Sequence, residues 1–95
     1  MRYRLARGVR VEPLADTWAA FSALSGDTLQ LNAEAAAVLE LLAEGPMDDS
    51  AVCQVLAGDT QTDAAEVAQA LSHVWDELLL AGLLRVDAGP AHNPG

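Results

Sequence analysis

The side chains that could do chemistry are few: two histidines, His73 and His92, one cysteine, Cys53, and the adjacent acid pairs Asp48-Asp49 and Asp76-Glu77. A metal site needs several such groups brought together at ligand spacing. Neither histidine has a cysteine or acid at a typical metal-site interval, so no metal ligand is expected. His73 and Glu77 stand one helical turn apart, a spacing that suits a surface hydrogen bond as well as a proton relay. The adjacent acids have the character of helix caps and solvated faces. There is no glycine-rich phosphate loop. A lone cysteine forms neither an intramolecular disulfide nor a metal site by itself, which fits a reducing compartment. No catalytic residue and no cofactor is expected, and the chain reads as a binding module.

The elements that position its surfaces follow from periodicity. At 95 residues the chain has room for one domain and one core. Hydrophobic residues supply 52% of the chain but aromatics only 4%, so Leu and Val packed against Ala must make that core, a composition that favours helices. Tyr3 and Leu5 alternate with Arg2 and Arg4 as in a strand with one dry face. Gly8 and Pro13 punctuate. Thr17 to Ala23 is rich in strand formers, Ser25-Gly26-Asp27 supplies turn chemistry, and Thr28 to Leu31 alternates again, which predicts a hairpin.

From Asn32 the period changes to about 3.6. Asn32 is a good N-cap, Ala35, Val38, Leu39 and Leu42 form the stripe, and Gly45-Pro46 stops the helix. A shorter helix is expected from Asp48 or Asp49 to Gly58, with Val52, Val55 and Leu56 inward. A third and longest helix is expected from Asp63 to Gly82, opened by an Asp63/Glu66 capping box and carrying Val67, Leu71, Val74 and Leu78 on one face, widened by Ala68, Trp75 and Leu79. Leu83 to Val86 reads as a short strand or wing, and 87–95 as a disordered tail. No internal repeat is evident. The fold class is α+β and winged-helix-like, with three N-terminal β-strands followed by three α-helices in a domain spanning 1–86.

Charge narrows the partners. The net charge is −9, yet Arg2, Arg4, Arg7 and Arg10 lie in the first ten residues and Arg85 is the only other formal cation. The acidic body repels phosphate backbones and favours a basic peptide or basic protein patch. Winged-helix folds often read DNA with Arg, Lys, Asn or Gln, but the expected third helix offers Gln69 and His73 beside Asp63, Glu66, Asp76 and Glu77. Nucleic acid is therefore not an expected partner. No apolar run approaches the length of a membrane span and no signal-like stretch follows Met1, so a cytoplasmic location and no membrane partner are expected.

The run from Trp18-Ala-Ala-Phe21-Ser22 through Ser25-Gly26-Asp27-Thr28-Leu29-Gln30-Leu31-Asn32, then Ala35-Ala36-Ala37-Val38-Leu39-Glu40-Leu41-Leu42, with the later Ala81-Gly82-Leu83-Leu84, resembles the PqqD-like peptide chaperones, in particular the branch found in HPr-rel-A systems. The likeness covers roughly residues 1 to 86. It implies a RiPP recognition element, a non-catalytic module that binds the leader segment of a ribosomally synthesised precursor peptide and presents it to a modifying enzyme in natural product biosynthesis. In such a module the leader adds as a strand beside the third strand and packs on the third helix. The resemblance thus implies peptide contacts at Thr28, Leu29, Gln30 and Leu31, with a groove wall drawn from Val67, Ala68, Leu71, Val74 and Trp75. The alternative is an acidic interaction subunit that uses the same surface to form a homodimer or to dock onto an enzyme.

Overall fold

The computed structural model describes residues 1–23 and 25–87. Its architecture is α+β, with two small antiparallel sheets and a helical layer around one core. Strand β1, Arg2–Leu5, buries Tyr3 and tucks Leu5 half inside while Arg2 and Arg4 stay exposed. It forms the centre of a sheet with β5, Met47–Asp48, and β6, Leu84–Val86. Leu5 faces Leu84, Arg4 faces Arg85 and Tyr3 faces both Val86 and Met47. The expected wing is therefore a strand, and its partner is the N-terminal strand.

The other sheet has the order β2-β3-β4, built from Val9–Leu14, Thr17–Ser22 and Thr28–Leu31. Strand β2 takes the place expected of the first strand, because β1 leaves this sheet for its own. Pro13 sits within β2, opposite Trp18. It is tolerated because β2 is an edge, where a residue without an N–H removes nothing from the ladder if that position faces outward. Leu14 pairs with Thr17, so Ala15 and Asp16 make a two-residue hairpin loop. Ala15 alone of the two has positive φ, at 42°, the pattern of a II′ turn, which usually carries glycine there.

Helix α1, Ala33–Leu42, starts as its sequence demands: Asn32 is extended and its Oδ1 accepts from the Ala35 N–H at 2.8 Å. Val38, Leu39 and Leu42 are buried against the sheet. Helix α2, Asp49–Thr60, is the longest at 12 residues and runs through Gly58. It ends at Gln61, whose left-handed backbone (φ 54°, ψ 41°) closes the helix as glycine commonly does. The segment expected to be the longest helix is divided into α3, Ala64–Leu71, and α4, Val74–Leu80. Ser72 and His73 keep right-handed backbone between them. Asp63 makes no side-chain cap hydrogen bond, so the expected capping box does not close.

The core joins all layers: Val38, Leu39, Val52, Leu71, Val74 and Leu83 are its fully buried large side chains. Tyr3 and Trp75 stack with ring centroids 4.6 Å apart and planes 8° from parallel, tying β1 to α4. Beyond Val86, Asp87 accepts from Arg2 at 3.0 Å through Oδ2 and donates its N–H to the Arg2 carbonyl. The remaining residues of the expected tail, 88–95, lie outside the described residues.

Candidate functional site

Strand β3 lies between β2 and β4, and its backbone groups must serve the two neighbours alternately. The phase is fixed from both sides. The two-residue loop makes Leu14 and Thr17 a hydrogen-bonded pair, as do Glu12 with Ala19 and Arg10 with Phe21, given the regular register. Pro13, which has no N–H, then faces outward, as it must. On the other side Ser22 donates to the Asp27 carbonyl at 3.0 Å, so Ala20 with Leu29 and Trp18 with Leu31 are the bonded pairs. Leu29 and Leu31 therefore turn their N–H and C=O groups inward to β3. Thr28 and Gln30 turn theirs to the outside, where no strand pairs with β4 among the described residues.

The two edges differ. On β2 the outward positions are Val9, Val11 and Pro13; the Val9 N–H is taken by the Ala6 carbonyl and Pro13 has none. On β4 both outward N–H groups are present, and neither appears in a turn or cap hydrogen bond. The Thr17 hydroxyl donates to the Leu31 carbonyl and accepts from the Gln30 side-chain Nε2, which steadies the end of the strand.

Beside this edge lies a cavity of about 250 Å³ whose walls come from Leu29, Gln30, Leu31, Asn32 and Ala35 on one side and Glu77, Leu78, Ala81 and Leu83 on the other. Its floor is apolar, since Leu31, Leu78 and Leu83 are buried. A second, larger cavity of about 530 Å³ opens between the start of α1, the end of α2 and α3, and includes Ala37, Leu56, Val67, Ala70 and Leu71 with Glu34 and Glu66 at its mouth.

The residues expected to make up a site are thus distributed over three places. Thr28 to Leu31 form the open edge. Val67 and Leu71 line the larger cavity and Val74 is buried in the core. Ala68 and Trp75 line a separate hollow on the β1 side with Tyr3, Cys53 and Asp76. None of the five expected helical residues lines the cavity beside β4; Glu77, Leu78 and Ala81 do. Asn32 and Ala35 there double as the cap and first turn of α1. That wall carries no sequence signal, because it combines a carboxylate and an alanine with one leucine, whereas an apolar stripe marks what faces the core.

The electrostatics are one-sided. Glu34, Glu66 and Glu77 are exposed and make no ion pair among the described residues. Arg10 lies over the Phe21 ring at 5.7 Å and pairs with Glu12. Burial, reinforced by Asp49 and Asp76, raises the Tyr3 pKa, and burial with Asp49 raises that of Cys53. Cys53 is therefore held as the inert thiol. Among the described residues no cluster of His, Cys, Asp and Glu could hold a metal ion, and no helix is long and apolar enough to cross a membrane.

No family model matches the chain, and no curated protein matches it. A solved structure described as TbiB1 in complex with the TbiA(beta) leader peptide superposes with a TM-score of 0.71 over 90% of this chain and 99% of that one, at 19% sequence identity. The two chains share this α+β fold.

Proposed function

We propose that the chain is a non-catalytic peptide-binding module of ribosomal peptide biosynthesis: an extended leader segment adds to β4 as a further strand and is thereby held for a modifying enzyme. The observation that carries the reading is the outward pair Thr28 and Gln30, which no strand pairs among the described residues, on an edge that borders a cavity with an apolar floor and polar rim. Such an edge supplies backbone hydrogen bonds to almost any extended sequence, and the adjoining pocket selects side chains. The solved leader-peptide complex with the same fold supports this assignment. Within the site the roles are divided. Thr28 and Gln30 offer the backbone, Leu29 and Leu31 hold the strand to the core, and Val67 extends the surface along α3 over the buried Leu71. Trp75 and Val74 secure the helix that carries the wall, and Ala68 is exposed on the hollow on the β1 side. Recruitment of this kind accelerates an enzyme by local concentration and needs no chemistry, cofactor or metal in the module.

Titration of isotopically labelled protein with the precursor peptide encoded beside it tests the reading. Shifts centred on Thr28 to Leu31, Glu77 and Ala81 are expected. The second reading, a homodimer or enzyme-docking subunit, rests on the same open edge. Absence of peptide binding together with a concentration-dependent dimer through β4 would select it.

A further inference from the structure

The hollow on the β1 side of the helices, about 530 Å³ in volume, has chemistry that the β4 edge does not use. Its floor is the stacked pair Tyr3 and Trp75, each only 7% exposed. The Tyr3 hydroxyl makes no hydrogen bond among the described residues. No side-chain oxygen or nitrogen among them is both sealed from water and unpaired, so that hydroxyl opens into the hollow its ring lines. A polar group held in a buried ring without a partner leaves a hydrogen bond for a ligand to complete. Asp49 and Asp76 stand at the rim, and after burial their charges are what raises the Tyr3 pKa, which puts the hydroxyl within the field of both.

What the hollow presents is chiefly acceptors. Asp76 makes no ion pair or hydrogen bond among the described residues. Asp49 accepts from the Met1 amine and the Ser50 N–H, both on Oδ1, which leaves Oδ2. Ser72 Oγ already donates to the Gln69 carbonyl at 2.9 Å, so it too meets a ligand as an acceptor. The wall along α3 is Ala64, Ala65 and Ala68, whose small side chains leave room for an aliphatic stem. On α4, Trp75 and Asp76 face this hollow, while Glu77, Leu78 and Ala81 face the cavity beside β4. At 3.6 residues per turn the centres of those two sets lie roughly 160° apart around the helix. No residue lines both.

We infer that the hollow receives an arginine side chain from a partner protein with a basic surface, and that it does so while a peptide occupies β4. A guanidinium carries only donors, lies flat against aromatic rings and stays charged, which suits a set of acceptors around a ring pair. Seated there, it donates to the Asp76 carboxylate and the Tyr3 hydroxyl, with Asp49 Oδ2 beside them, and its stem lies along the alanines of α3. Lysine brings the charge without the fork. The arginine belongs to a separate protein because a strand on β4 lies on the opposite side of α4. A net charge of −9 draws a basic surface toward the molecule.

The test uses the full chain, isotopically labelled, and capped Gly-X-Gly peptides in which X is arginine, lysine or citrulline, the neutral isostere. The arginine probe is expected to shift the Ala68, Trp75 and Asp76 amides, the lysine probe to bind more weakly and citrulline not at all. Asp76→Asn weakens the arginine probe by about two- to five-fold, the range of a solvent-exposed ion pair. Tyr3→Phe keeps the ring stack and weakens it by about two- to ten-fold, the range of one hydrogen bond. Glu44→Gln, the same loss of charge on the far end of α1, leaves it unchanged. Docking of the modifying enzyme encoded beside the chain weakens with Asp76→Asn by the same factor, and a saturating leader peptide does not displace the arginine probe. Equal binding of the arginine and citrulline probes, an equal loss with Glu44→Gln, displacement by the leader, or enzyme docking indifferent to Asp76→Asn overturns the inference. Self-association abolished by Asp76→Asn would make a second copy the occupant and overturn the partner assignment. In each of these cases protection of the Thr28 and Gln30 amides by the leader still reports strand addition, so the two readings fail separately.

Discussion

The alternation along β4 makes a prediction that needs no ligand to begin with. The Leu29 and Leu31 amides are ladder donors to β3, while those of Thr28 and Gln30 face solvent. Native-state hydrogen exchange is therefore expected to protect Leu29 and Leu31 and leave Thr28 and Gln30 fast. Substitution sharpens the contrast. Gln30→Pro deletes an N–H that the fold does not use, so the folded state should survive with little loss, whereas Leu29→Pro deletes a ladder bond and disrupts the β3–β4 hairpin. A bound strand can form up to four hydrogen bonds with the two outward residues, at a net ~0.5–1.5 kcal/mol each. Proline at position 30 removes one and leaves a peptide carbonyl unsatisfied. That costs about 1–3 kcal/mol, or roughly 5- to 150-fold in affinity. The assay is chemical denaturation of each variant beside fluorescence anisotropy with labelled peptide. A folded Gln30→Pro variant that binds unchanged would refute strand addition at β4. A reversed protection pattern, fast at Leu29 and slow at Gln30, would refute the hydrogen-bond phase itself.

Ala15→Gly should relieve the positive φ in the β2–β3 loop and stabilise the fold by about 1 kcal/mol, raising Tm by roughly 4–8 °C in a domain of this size; a lower Tm would contradict the II′ geometry. Trp75→Ala should cost about 3–5 kcal/mol, because the ring is buried against Tyr3, while Trp75→Phe should keep the fold and leave peptide affinity unaltered by anisotropy. Folded-state burial raises the Tyr3 pKa above its unfolded value, so its contribution to stability is complete below pH ~10 and is lost as pH climbs through the folded pKa. Tyr3→Phe should flatten that alkaline fall in denaturation midpoints. Native Cys53 should resist alkylation at neutral pH and react fully once the chain is unfolded, as followed by mass spectrometry.

The parts of this fold that were legible in the sequence are those governed by local rules. Asn32 caps α1 as its side chain dictates, Gly45-Pro46 ends that helix, and the alternation of Thr28 to Leu31 marks β4. What stayed hidden depended on partners distant in sequence. Val9 to Leu14 alternates no less than β1, but Pro13 argues against a strand unless one knows that β2 is an edge. Two-residue β5 has too little sequence to carry a period, yet it pairs with β1 on the side opposite β6. Gly58 reads as a stop, yet α2 continues to Thr60 because Val52, Cys53 and Ala57 are fixed by burial. Nothing in Ser72-His73 announces the division of α3 from α4. The wall of the cavity beside β4 was the least legible, since Glu77 and Ala81 are exposed residues that only the fold brings opposite β4.

Pro13 has a further consequence, for assembly. Two copies joined antiparallel through β4 would make a six-stranded sheet whose outermost strands are both β2, each presenting a proline where the next donor would have to be. That contact uses the same patch on both copies and closes on itself, so growth stops at two and the open edge does not seed a filament. A peptide added to β4 would end the sheet sooner, at a single copy. The proline on one margin thereby sets the largest complex that the other margin can build.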